Sequence, residues 1–107
     1  MQILINSDNH IVHHRKFSAF AATEINRILS HFNPQLTRIE AHLSDEHAPK
    51  SGPQKKRCLL EARPKDHQSL TVTEDSPDLQ AAVTGAAHKM QRLLESTFGR
   101  IEAKRLS

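Results

Sequence analysis

The sequence predicts an α+β fold, with a four-stranded mixed sheet carrying two helices on one face in the order β-α-β-β-β-α. Three observations lead there. Two segments repeat apolar residues at spacings of three and four, the mark of amphipathic helices. Two segments alternate apolar and polar residues strictly, as half-buried strands do. Prolines, glycines and short polar clusters separate these segments from one another.

The elements follow in order. Residues 2–6 form a short apolar run closed by the turn residues Ser7-Asp8-Asn9, which reads as a strand. Phe17, Phe20, Ala21, Ile25, Ile28, Leu29 and Phe32 fall on one helical stripe, and Arg15, Lys16, Glu24 and Arg27 lie largely off it. That helix is expected to stop near Phe32, because Asn33 precedes Pro34 and is pushed out of the helical region. In residues 36–43, Ile39, Ala41 and Leu43 face one way and Arg38, Glu40 and His42 the other. Residues 44–55 hold two prolines, a glycine and mostly polar groups, and read as a long flexible loop. Residues 57–63 alternate again, with Cys58, Leu60 and Ala62 inward and Arg57, Glu61 and Arg63 outward. Pro64 to Gln68 turn the chain, and residues 69–74 make a β-branched fourth strand. Ser76-Pro77-Asp78 supplies a cap, a first-turn proline and an acid at the positive end of a second helix. Its inner stripe is Leu79, Ala82, Val83, Ala86, Met90, Leu93, Leu94 and Thr97, with Gly99 as the expected C-terminal cap. Residues 100–107 are expected to fray. The strand–helix–strand unit makes the first two strands parallel, and no repeat or second domain is visible in residues 1–107.

Composition narrows the function. Leu, Ile, Val and Phe make up 25 of 107 residues, above the roughly 20% below which chains tend to stay disordered. No apolar run approaches the ~18 residues of a membrane span, and the N-terminus lacks a basic lead, so a cytoplasmic protein is expected. The single cysteine, Cys58, excludes an intramolecular disulfide and a multi-thiolate zinc site, and its inward phase makes it a core residue. The formal charge of +3 is uneven: residues 1–49 net −1, 50–65 net +5, 66–88 net −4 and 89–107 net +3. If folding unites the two positive blocks, they form the electrostatic footprint of a polyanion binder. If not, they serve only to keep a small domain soluble.

No nucleophile elbow, phosphate loop, dinucleotide fingerprint or paired metal-ligand spacing occurs, so neither an enzyme nor a cofactor is expected. His10, His13 and His14 lie close together beside Asp8, but the remaining histidines are scattered. The cations are the residual signal. Lys50, Lys55, Lys56 and Arg57 lie on or beside the long loop; Lys89, Arg92, Arg100, Lys104 and Arg105 lie on or after the second helix; Arg38, Arg63 and Lys65 border the open sheet face. Such side chains contact phosphate, which gives affinity with little sequence readout. With no Trp or Tyr and the four Phe assigned to the core, base stacking is disfavoured, and docking by shape and charge onto A-form RNA fits better.

The chain resembles the ribosome hibernation factors, also called ribosomal subunit interface proteins, from Ile3 to about Ile101. The resemblance is carried by the element order and by a first helix ending in Ile28-Leu29-Ser30-His31-Phe32. The strand Arg38-Ile39-Glu40-Ala41-His42-Leu43 and the closing segment Asp78 to Met90, with its paired alanines, add to it. It implies a fold similar to double-stranded RNA-binding domains and a non-enzymatic protein that binds small-subunit rRNA near the decoding region and silences idle ribosomes. It transfers RNA-contacting roles to Lys89 and Arg92, and more weakly to Arg15, Lys16 and Arg27; the basic positions Arg100, Lys55, Lys56 and Arg57 join them from the charge reading. Two departures stand out. Glu95-Ser96-Thr97 interrupt the basic run of the final helix, and the sequence ends after that helix, so ribosome pairing through a further C-terminal domain is not expected. The alternatives are a protein–protein adaptor or homo-oligomer using the exposed sheet face, and a histidine-dependent metal protein. The sequence leaves the oligomeric state open.

Overall fold

A computed structural model describes residues 1–8, 14–46 and 55–106. Its elements are β1 (Gln2–Ser7), α1 (His14–Leu29), a 3-10 segment (Ser30–Gln35), β2 (Leu36–Glu46), β3 (Lys55–Pro64), β4 (Leu70–Ser76) and α2 (Leu79–Leu106). The sheet order is β1-β2-β3-β4. β1 runs parallel to β2, and the β2–β3 and β3–β4 pairs are antiparallel. This is the predicted mixed sheet in the predicted order. No helix among the described residues is long and apolar enough to cross a membrane.

Strand parity builds the core. Ile39, Ala41 and Leu43 of β2 and Cys58, Leu60 and Ala62 of β3 are buried, and each is an inward position of the predicted alternation. Against them pack Ala21, Ile25, Ile28 and Leu29 of α1 and Leu79, Ala82, Val83, Ala86, Ala87, Met90 and Leu94 of α2. Burying one such large aliphatic side chain is worth about 1.5–3 kcal/mol. Both helices therefore cover one sheet face. They also run side by side in the same direction, because Glu24 of α1 meets Thr84 of α2, and further along both chain segments Phe32, just past α1, meets Phe98.

Four boundaries differ from expectation. α1 ends at Leu29, and the chain continues through Pro34 as a 3-10 segment. Proline has no N–H to give and disfavours the α conformation just before it, and the tighter coil still buries Phe32. Secondly, the β2–β3 arms reach Glu46 and Lys55, so the ends of the segment read as a loop are strand; residues 47–54 lie outside the described residues. Across the arms Ser44, Asp45 and Glu46 are in register with Arg57, Lys56 and Lys55, and the opposite charges of Asp45 and Lys56 on facing strands stabilise the pairing. Thirdly, the helix cap is Asp78, not Ser76. The Gln80 N–H donates to Asp78 Oδ1 at 3.2 Å, and Ser76 Oγ instead accepts from the Asp78 N–H at 3.2 Å. Lastly, α2 does not end at Gly99. It continues to Leu106 with Arg100 bonded to Ser96 one turn back and Arg105 to Glu102, and pairs at these spacings support a helix.

The two helical glycines of α2 sit in opposite environments. A Cβ on Gly85 would lie 2.3 Å from Glu74 Oε2 and 2.7 Å from its Cγ, whereas a Cβ on Gly99 would meet nothing within 4 Å. Gly99→Ala is therefore expected to stabilise the fold by about 0.5–1 kcal/mol, the usual helical gain over glycine. Gly85→Ala should fall short of that gain because Glu74 must swing aside. Urea denaturation of both variants checks the ordering, and equal gains would contradict it.

Candidate nucleic-acid interface

Parity also distributes the charge. Outward positions of the strands put Arg38, Glu40 and His42 of β2, Arg57, Glu61 and Arg63 of β3 and Asp75 of β4 on the open sheet face. These groups pair with one another. Arg57 Nε donates to Asp75 Oδ1 at 2.8 Å, and Lys55 Nζ lies 3.4 Å from Asp75 Oδ2. Arg63 meets Glu61 at 3.2 Å, and Glu40 lies 3.4 Å from Arg38 and 3.6 Å from His42. Arg57 first, and Lys55 with it, hold the Asp75 carboxyl below its ordinary range. Lys56, of the opposite parity, points to the helix side and pairs with Asp45. Each of the three basic residues that open β3 thus faces an acid.

The two basic blocks do not merge. Lys56 is in register with Ser76, so the opening of β3 lies at the end of the sheet where α2 starts. Arg100 and Lys104 line a cavity with His67, at the far end, beyond the β3–β4 turn. A ten-residue strand, β3, separates the two ends, a span of about 30 Å. Lys65, the last residue of the mid-chain block, lies at that far end, where it shares a cleft with Phe98 and Ile101. The expectation of one united patch from these two blocks is corrected accordingly, because the block is a strand and a strand distributes its residues along the whole sheet.

On the helix layer, Lys89 is not a free solvent cation either. Its Nζ lies 2.8 Å from Glu74 Oε1 and donates to the Thr73 carbonyl at 2.9 Å, so it is tied to edge strand β4. Arg92, one turn on, is exposed, and no ion pair engages it among the described residues. It recurs with His88, Glu95 and Gly99 at helical spacing, opposite the buried Ala86, Met90 and Thr97. On α1, Lys16, Thr23 and Arg27 recur likewise, opposite Ala21, Ile25 and Ile28. Arg15 and Lys16 are exposed in the first turn, which has no acidic residue. Cations there oppose the helix dipole, at a typical cost of 0.3–1 kcal/mol each, so their placement does not serve the stability of α1.

Glu24 joins the two helices. Its carboxylate accepts from Arg27 Nε at 2.7 Å and from the Thr84 hydroxyl at 2.6 Å. Arg27 first, then Thr84, hold Glu24 below the ordinary carboxylate range. Sequence reading missed this seam, since nothing in the spacing of Glu24 and Thr84, sixty residues apart, signals contact. Cys58 is the buried core residue expected, and burial pushes its thiol up to about 12. Among the described residues no group of three or more His, Cys, Asp and Glu is placed to hold a metal; His10 and His13 lie outside them.

Residues 4–102 match a family model described as "Sigma 54 modulation protein / S30EA ribosomal protein". Among solved structures, a ribosomal subunit interface protein from Coxiella burnetii superposes with a TM-score of 0.73 at 14% identity, over 92% of this chain and 99% of that one. The N-terminal domain of Protein Y from Thermus thermophilus does so with a TM-score of 0.66 at 15% identity, over 91% and 99%. At such identities these likenesses report the fold. No curated protein matches the sequence.

Two outcomes are expected. Glu24 titrates lower folded than unfolded, so its contribution is present above the unfolded value and is lost as pH falls through the folded one. The stability of the native chain over Glu24→Gln should thus be largest near neutrality and should close below about pH 4; a gap that ignores pH in urea titrations would refute it. The Cys58 thiol should resist a thiol reagent at pH 8 until denaturant is added, as a colorimetric titration will read.

Proposed function

Because the chain belongs to the Sigma 54 modulation protein / S30EA ribosomal protein family, we propose that it docks on the small ribosomal subunit through rRNA phosphates and silences translation by occupying space. It does so without chemistry of its own. The observation that carries this reading is the contrast between its two surfaces. The sheet face carries cations matched by acids, whereas the helix layer exposes Arg15, Lys16 and Arg92, which no acid engages among the described residues. Phosphate is the counter-charge such groups lack, and neutralising it releases counterions. Arg27, braced by Glu24, presents its guanidinium beside them. The names of the similar structures, a ribosomal subunit interface protein and Protein Y, agree with a ribosomal partner.

Of the nine basic residues singled out from the sequence, Arg15, Lys16, Arg27 and Arg92 are assigned here to the docking surface. Lys55, Lys56, Arg57 and Lys89 are assigned to structural pairing, for they contact Asp75, Asp45 and Glu74. Arg100 stands apart at the far end.

Co-sedimentation with purified small subunits tests the reading. Binding should weaken steeply between about 50 and 200 mM salt, and the slope of log affinity against log salt should fall by about one for each phosphate contact removed. Lys16→Glu and Arg92→Glu should each weaken recovery, while Arg57→Gln should change it little. Salt-independent recovery, or recovery unchanged in Lys16→Glu/Arg92→Glu, would overturn it.

A further inference from the structure

At the far end of the molecule α2 runs past the sheet, and its underside meets the β3–β4 turn. A cavity of about 180 Å³ opens there, lined by His67, Thr97, Arg100, Ile101 and Lys104. Its lining holds three basic side chains and no acid.

The site is built, not merely basic. Thr97 is 2% exposed, and its hydroxyl has no hydrogen-bond partner among the described residues. A covered polar group left unsatisfied costs about 1–3 kcal/mol, so an acceptor entering the cavity supplies what the hydroxyl lacks. Arg100 spends one N–H on Ser96 Oγ at 2.8 Å, which orients the guanidinium and leaves its other donors available. The turn that carries His67 is pinned. The Lys65 N–H donates to the Gln35 carbonyl at 2.9 Å, and Asp66 takes the left-handed conformation at φ 59°, which aspartate tolerates in turns. His67 Nδ1 lies 2.9 Å from the Gln68 carbonyl oxygen, so the ring is held in place.

We infer that this cavity is a phosphate-binding site, formed by His67, Thr97, Arg100 and Lys104. Its size argues for a phosphate or pyrophosphate group alone, since pockets that enclose organic ligands begin at roughly 300 Å³. The guanidinium fork matches phosphate oxygens in pairs. The group can come from an RNA backbone or from a small phosphorylated ligand. Only the first source rests on the ribosome-docking reading, for which this cavity would add a phosphate contact remote from Lys16 and Arg92.

The test is an ¹⁵N NMR titration of the whole chain, first with sodium pyrophosphate and then with a short RNA duplex, at fixed ionic strength. Saturable shifts are expected at Thr97, at His67 and at the Arg100 side-chain N–H. They should weaken at least fivefold in Arg100→Gln/Lys104→Gln, both exposed positions whose change leaves the core intact. Saturation by the duplex assigns the site to backbone phosphate; saturation by pyrophosphate alone assigns it to a small ligand. Shifts that do not saturate with either probe, or that persist unchanged in the double variant, overturn the site. Saturable shifts in a chain that fails to sediment with small subunits would keep the site and remove the ribosomal reading. Intact sedimentation without the shifts would do the reverse.

Discussion

Everything in this molecule depends on the sheet being covered on one side only. Two helices occupy one face, so the two-residue period of each strand sorts its side chains into a dry set and a wet set. Cys58, Leu60 and Ala62 go one way, Arg57, Glu61 and Arg63 the other. A slip of one residue in β3 would bury three charges and expose the centre of the core. The same sorting decides the electrostatics, because it brings Arg57 opposite Asp75 of β4 and Arg63 beside Glu61 on the same face.

The positive balance of the chain is therefore not a measure of its attractive surface. Asp75 engages both Lys55 and Arg57, Asp45 engages Lys56, and Glu74 engages Lys89. Exposed pairs of this sort contribute little stability, about 0–1 kcal/mol each, but they cancel field. The charge left over sits on the helix layer and at the far end of α2. This arrangement keeps the sheet face close to neutral, and under the proposed function it is the helices that address a polyanion.

Much of this was legible in advance. The alternation of residues 36–43 and 57–63 and the helical stripes on either side named nearly the whole core, because burial on one side leaves a strong periodic trace. What stayed hidden was set by partners distant in sequence. Lys55-Lys56-Arg57 reads as the end of a polar loop until Asp45 and Asp75 are known to lie opposite. Likewise Lys89 and Arg92 look equivalent on a helical wheel, yet one reaches a neighbouring strand and the other does not. Gly99 reads as a stop signal, but a glycine caps a helix by turning left-handed, and no glycine among the described residues has a positive φ. The Glu24–Thr84 bond and the cavity under α2 arise from packing angles that no local pattern encodes.

The contact between Lys89 Nζ and the Thr73 carbonyl has a consequence for solubility. β4 is a border strand of the sheet, and an uncapped row of amides along a border is a template on which other chains can polymerise into cross-β aggregates. An ammonium group lodged on that row, with Glu74 and Asp75 beside it, makes the margin a poor seed. The opposite margin, β1, bears no charged residue, so any fibril-forming tendency of this small domain is concentrated there.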